Sequence, residues 1–268
     1  MKKYHTVLTI AGSDSCGGAG IQADLKTFSA LGCYGMSAIT ALTAQNTQGV
    51  QAINVVPAKF VRSQVESVFS DIQVAAIKTG LLLHRDIIEV VVALVGEYRK
   101  KALIVDPVMV GKDKQVLLKK SAEKAILDNL FPLATLVTPN IDEAEYLLNM
   151  PITDLDSLQV AAKKICDLGA EAALVKGGHL VKMEKSTDCL YIKKQKEVYW
   201  FSMPRVDTKN THGAGCTLSA AITAFMARGD DLITAITRAK KYVTKAILAG
   251  KEYRLGKGPG PTCHFFNC

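Results

Sequence analysis

The sequence has few charged residues, no linker rich in Gly, Pro or Ser, and no pair of cysteines at metal-ligand or redox spacing. Only 22% of its 268 residues are charged while 49% are apolar, which excludes a disordered chain and provides for one large core or two small ones. The glycine and proline counts, 20 and 8, are ordinary and exclude collagen-like and low-complexity compositions. The seven cysteines, Cys16, Cys33, Cys166, Cys189, Cys216, Cys263 and Cys268, include no Cys-x-x-Cys. Neither a disulfide framework nor a zinc site of the usual spacing is indicated. The apolar run in MKKYHTVLTIAGSD is too short for a signal peptide, so a reduced, cytoplasmic protein is expected.

Between Thr27 and Ala58 no side chain is charged. A membrane span needs about 20 mostly apolar residues, and Gly32, Gly35, Ser37, Thr40, Thr43, Gln45, Asn46, Thr47, Gln48 and Gly49 break this stretch. Buried strands and turns fit it better. The net charge of +8 favours an anionic ligand. The basic residues are scattered, however, and Lys193, Lys194 and Lys196 lie near Asp188 and Glu197, so nucleic acid is not the expected partner.

Short apolar runs alternate with helical periods. Thr6–Ile10, Ala75–Lys78, Ala102–Val105, Thr135–Thr138 and Ala172–Val175 read as buried parallel strands. Ile21–Leu31, Ala58–Phe69, Asp86–Arg99, Ser121–Leu130, Ile141–Leu148 and Leu155–Leu168 read as helices, an alternation that predicts a doubly wound α/β sheet with helices on both faces. Gly35–Thr43, Val50–Val56, Asp188–Lys193 and Val198–Ser202 suggest further strands, including an antiparallel edge or flap. With no linker and no shift of composition, residues 1–268 are expected to form a single domain. Ala214 to Ala227 reads as a helix buried all round, and Leu232 to Leu248 as an amphipathic one.

Two Gly-rich segments carry the candidate chemistry. In AGSDSCGGAGIQADLKTF, residues 18–23 form a formal G-x-G-x-x-A. Residues 11–17 nevertheless intervene after the strand, and the acid after Asp24 is Glu66, so the dinucleotide fingerprint is not met. A substrate-side loop is the better reading. No Walker A loop occurs anywhere, so phosphate must be held otherwise. In VDTKNTHGAGCTLSAAI, Gly213, Ala214 and Gly215 precede the buried helix and expose backbone N–H groups to an anion at its positive end; a plain turn before a core helix is the alternative. Cys216 sits in the first turn, where the helix field is expected to lower a thiol pKa and make it a base.

Asp106 closes one strand, and Asn140 and Glu143 follow the next. Carboxylates at strand ends beside a phosphate site suit Mg²⁺, which takes few protein ligands, although Asn140 and Glu143 also read as a helix cap and its capping-box partner. Lys176 ends a strand before Gly177-Gly178 and would reach a phosphate, or else lie in solvent.

The segments AGSDSCGGAGIQADLKTF, ALTAQNTQGV, DPVMV, TPNIDEAEYL, LVKGGH, DTKNTHGAGCTLSAAI and GKGPGPTCHFF, in this order, resemble the hydroxymethylpyrimidine/phosphomethylpyrimidine kinases of thiamine biosynthesis, within the ribokinase superfamily. The resemblance spans essentially the whole chain. It implies a ribokinase-like single domain, usually homodimeric, that uses ATP and Mg²⁺ to phosphorylate 4-amino-5-hydroxymethyl-2-methylpyrimidine and then its monophosphate. By the same resemblance, Gln45, Asp24, Gly12 and Val108 line the pyrimidine pocket. Gly213, Ala214, Gly215 and Cys216 form the anion hole and base, Asp106 and Glu143 serve the metal, Lys176, Asn140 and Thr211 contact the nucleotide, and Val110 to Gln115 form a lid.

Three departures bear on specificity. Ala214 stands where a threonine is expected, and its donor is a backbone group. Leu81 replaces a frequent methionine after Gly80. A related branch that phosphorylates pyridoxal carries a second cysteine in the lid, and Val110 to Gln115 has none. A vitamin B6 kinase of the same fold is the alternative function, and a non-enzymatic nucleotide-binding module a third; the third has no use for Cys216.

Overall fold

The computed structural model describes residues 2–97, 102–111, 115–180 and 184–266. Among them nine strands form one sheet in the order β3-β2-β1-β4-β5-β6-β7-β8-β9. The strands are β1 His5–Asp14, β2 Cys33–Asn46, β3 Gly49–Val55, β4 Ala76–Thr79, β5 Ala102–Val105, β6 Leu136–Val137, β7 Ala172–Val175, β8 Lys185–Ile192 and β9 Glu197–Pro204. From β2 through β1, β4, β5 and β6 to β7 every pair is parallel. The hairpin partners β3 at one edge and β8 and β9 at the other are antiparallel. This is the mostly parallel, doubly wound sheet expected, with the flap at the β2–β3 edge.

The helices are α1 Gly20–Ala30, α2 Ala58–Phe69, α3 Arg85–Glu97, α4 Lys120–Ala125, α5 Ile141–Leu148, α6 Leu155–Asp167, α7 Ala214–Ala227 and α8 Leu232–Gly250. Alternation along the strands decides which face each layer covers. Leu8, Ile10, Ile77, Leu103, Val105, Val137 and Val175 pack with α2 to α6. Val7, Ile104, Leu136 and Leu174 turn the other way, against α1, α7 and α8. Every residue from Thr217 to Phe225 of α7 is buried, as the uncharged segment predicts. Fully burying an Ile222-sized side chain contributes about 1.5–3 kcal/mol, so this helix anchors its own N-terminus firmly.

Several boundaries differ from the sequence reading. β1 runs four residues past Ile10, pairing with β2 through an irregularity between Ala11 and Ser13, so only residues 15–19 separate strand from helix. The helix expected over Ser121–Leu130 begins at Lys120 and widens to a π turn over Ile126–Leu130, followed by a 3₁₀ turn at Phe131–Leu133; Pro132, lacking an N–H, cannot continue an α-helical ladder. The strand expected over Thr135–Thr138 pairs only at Leu136 and Val137. Tyr98 and Arg99, expected to end α3, and residues 112–114 of the expected lid lie outside the described residues, as does Cys268. Among the described residues no helix is long and apolar enough to cross a membrane, and no disulfide joins the six described cysteines.

Candidate active site

The C-terminal ends of the parallel strands meet the starts of α1 and α7. Both Gly-rich loops are packed together there. Gly213, with φ +79°, is so close to Gly18 that a Cβ on it would lie 1.7 Å from the Gly18 carbonyl oxygen. Only glycine fits this left-handed, crowded position. Asp14 closes β1 and gathers its loop: its carboxylate accepts from the N–H groups of Cys16, Gly18 and Ala19 and from His212 Nε2 at 3.0 Å. Burial opposes ionisation of Asp14, but His212 and these N–H donors outweigh it and hold the carboxyl down to about 2.

Next along the sheet, the Asp106 carboxylate at the end of β5 receives Lys176 Nζ on one oxygen and Ser219 Oγ on the other, each at 3.0 Å. Lys176 comes from the end of β7, and Ser219 from α7. Asn140 caps α5 in a full capping box with Glu143. Both structural readings of that pair are therefore observed, and the Glu143 oxygens take the N–H groups of Asn140 and Met109. Burial pushes the Glu143 carboxyl up to about 7, with Asp106 adding to the effect while Lys176 opposes it. Val108 has φ +46°, a strained conformation for a β-branched residue; it swings the chain so that the Met109 N–H reaches Glu143.

No capping side chain bonds the start of α7; the Ala214 N–H is taken by the Thr211 carbonyl at 3.1 Å, and the next two N–H groups, of Gly215 and Cys216, point out of the helix end toward a ligand. Beside them lies a cleft of about 350 Å³. Asn140, Lys176, Thr211, Ala214 and Gly215 contribute to its polar lining, and Val206, Leu218, Val243 and Ile247 to its apolar lining. A flat aromatic base with a polyphosphate tail has this polarity. The buried pair Lys240–Asp188, at 2.7 Å, closes the wall, and the second Asp188 oxygen accepts the Gly177 N–H.

Two expectations need correction. Asp24 does not line the pocket: it is fully buried, with its carboxylate taken up by Lys78 and by Thr9 Oγ1 at 2.6 Å. Cys216 is half-buried at the start of α7 as expected, but its thiol is not acidified. Burial pushes it up to about 11, and the Asp106 and Asp24 carboxylates reinforce that against Lys78. The field of the helix end is local and weak beside desolvation in a site holding two carboxylates. Gly12 is buried against Leu81, and Gln45 stands half-buried near the end of β2, with its side-chain nitrogen 3.5 Å from His212 Nε2.

The fold thus collects Asp106, Asn140, Glu143, Lys176, Gly213 to Cys216 and Thr211 along one edge, with Gln45 across the two glycine loops. Residues 14–263 match the phosphomethylpyrimidine kinase family. The chain belongs to this family. Among curated relatives, the kinase is 47% identical to a hydroxymethylpyrimidine/phosphomethylpyrimidine kinase of Rhizobium meliloti over 96% of either chain. It is 49% identical, over 97% of its own length, to the thiamine biosynthesis bifunctional protein ThiED of Geobacter sulfurreducens, of which it spans 52%. Among solved structures, an ADP complex of a Bacillus subtilis pyridoxal kinase superposes with a TM-score of 0.90 at 41% identity, covering 98% of both chains.

Sequence reasoning missed three residues of this phosphomethylpyrimidine kinase family member: Lys78, Asp14 and His212. A lysine inside the apolar strand AIKT was a readable signal, since a lysine is almost never fully buried without a partner. Nothing local marks His212.

Proposed function

We propose that the chain transfers the γ-phosphoryl group of ATP to the hydroxymethyl group of 4-amino-5-hydroxymethyl-2-methylpyrimidine, and then to the resulting monophosphate, in thiamine biosynthesis. The observation that carries this reading is the uncapped start of α7, with Cys216 in its first turn, between the 350 Å³ cleft and the glycine loop that faces Gln45. The apolar side chains lining the cleft take the adenine, and Lys176 and Asn140 flank the phosphates. The hydroxymethyl oxygen attacks the γ-phosphorus, the bond to the β–γ bridging oxygen breaks, and ADP leaves with that electron pair. The N–H groups of Gly215 and Cys216 stabilise charge on the transferring group, and that of Ala214, held by the Thr211 carbonyl, fixes the turn they stand on. The Cys216 sulfur accepts the hydroxyl proton once it is in the thiolate form, which Lys78 favours while burial and the Asp106 and Asp24 carboxylates oppose it.

A magnesium ion fits the donor set: two hard carboxylates, Asp106 and Glu143, close enough that the charge of one raises the pKa of the other. Among the described residues no three His, Cys, Asp or Glu cluster as a protein cage, in keeping with a metal that keeps most of its waters. When bound, Mg²⁺ neutralises charge on the phosphates. A homodimeric, cytoplasmic, single-domain enzyme is proposed as well. Exposed Leu42, Val50 and Ile53 at the β2–β3 edge support the first, and six described cysteines outside any disulfide the second.

A second reading, pyridoxal phosphorylation, is favoured by the close match to the Bacillus subtilis pyridoxal kinase. ADP release with each alcohol separates the two. A higher kcat/KM for the hydroxymethylpyrimidine is expected; equal or better turnover of pyridoxal would establish the second reading instead.

A further inference from the structure

The main chain of Gln45 is fixed by Ser15, whose Oγ accepts from the Gln45 N–H at 2.8 Å and donates to its carbonyl at 2.9 Å. Its side-chain amide is free to present either order of donor and acceptor unless its neighbours choose. They do. The Asp14 carboxylate is ionised far below neutral pH and only accepts, so His212 Nε2, 3.0 Å away, must carry a hydrogen whether the ring is neutral or charged. A nitrogen that donates cannot accept from a second donor, so the Gln45 atom facing it at 3.5 Å is better filled by the carbonyl oxygen. The other neighbour agrees: Thr43 Oγ1 gives its single hydrogen to the Ser13 carbonyl at 3.0 Å and is left to accept from the amide group 3.2 Å away. Amide nitrogen and oxygen are interchangeable in shape and are assigned by such counting.

The position of the His212 ring is itself built. A Cβ on Gly18 would lie 2.3 Å from His212 Cδ2, and the His212 N–H is held by the Gly260 carbonyl at 3.1 Å. The imidazole therefore has a fixed seat between the two glycine loops, one residue before the anion hole.

We propose that His212, held by Asp14, is a specificity-determining positioning residue: with Thr43 it locks the Gln45 amide with oxygen toward His212 and NH₂ toward β2. One lone pair of the oxygen and one N–H then remain for the ligand in a single order. That order fits an amino group beside a ring nitrogen. An unlocked amide would turn to suit other edges and discriminate weakly. The inference rests on the reading of Gln45 as the pyrimidine contact.

The test is steady-state kinetics of wild type, His212→Leu, His212→Gln and Thr43→Val with the hydroxymethylpyrimidine and with pyridoxal. In His212→Leu the preference for the pyrimidine is expected to narrow by about tenfold, the usual worth of one lost hydrogen bond, mainly through a higher KM. Gln supplies an N–H near the position of Nε2, so His212→Gln should recover most of the preference. Thr43→Val lies away from the anion hole and should narrow the preference in the same direction; it decides the matter if His212→Leu fails to fold. Equal losses of kcat for both alcohols in His212→Leu, with the preference intact in Thr43→Val, would overturn the proposal and leave His212 as a support of the anion hole. A preference retained in every variant would overturn this inference alone. A wild-type enzyme without the preference would overturn the reading of Gln45, and the inference with it.

Discussion

Lys78 Nζ lies 2.8 Å from each carboxylate oxygen of Asp24, and neither side chain reaches solvent. The pair joins β4 to α1 under the glycine loops. Burial opposes the charge of Lys78, but Asp24, then Cys216 and Asp106, outweigh it and raise the ammonium above its ordinary range. A buried cation therefore lies beneath the proposed phosphate site.

Removing one member of this pair leaves an uncompensated buried charge. Lys78→Met is expected to destabilise the fold by about 3–5 kcal/mol, whereas adding Asp24→Leu to it should restore part of the loss. Urea unfolding of the two single variants and the double variant measures this; additive losses would show that the two charges are not a pair.

Cys216→Ala should lower kcat by about 10²- to 10⁴-fold, the usual contribution of a positioned base, with little change in ADP affinity by calorimetry. Because burial holds the free thiol up at about 11, alkylation of the ligand-free protein at Cys216 should accelerate with pH throughout the alkaline range. A rate already at its plateau near neutral pH would mean that the helix field prevails after all.

Glu143 has its carboxyl raised from 4.5 to about 7, so its contribution to stability is complete below pH 4.5 and is lost as pH rises through 7. A cation joining Asp106 and Glu143 would offset that loss. Mg²⁺ should raise the unfolding temperature more at about pH 8 than at about pH 5, and the difference should vanish in Asp106→Asn and Glu143→Gln. A magnesium effect unchanged in both variants would put the ion elsewhere.

His264 carries the opposite sign. Burial, with Lys26 adding to it, holds its imidazole down from 6.5 to about 4, while Nε2 meets Thr217 Oγ1 at 3.0 Å. The folded state refuses a proton that the unfolded chain binds, so this contribution is complete above pH 6.5 and is lost as pH falls through 4, by about 3 kcal/mol. His264→Gln should flatten the pH dependence of urea midpoints in that window. An unchanged slope would mean that the ring titrates freely in the folded state.

What the sequence determined by itself was whatever depends on near neighbours. Alternating apolar runs and helical periods specify strands buried on both faces, and that alternation sends Asp106, Asn140 and Lys176 to one edge because strand C-termini in such sheets share it. The uncharged stretch after Gly213-Ala214-Gly215 marked α7 and its open N-terminus, a local property of the chain. What only the tertiary structure decided was pairing across distance. His212 and Asp14 stand 198 residues apart and Lys78 and Asp24 54 apart, and no periodicity encodes which charge meets which. The thiol of Cys216 shows the same division: its place at a helix start was legible, but its proton affinity follows from burial and from carboxylates delivered by β5 and α1. Desolvation is a sum over the whole surrounding volume, and only the packed chain has one.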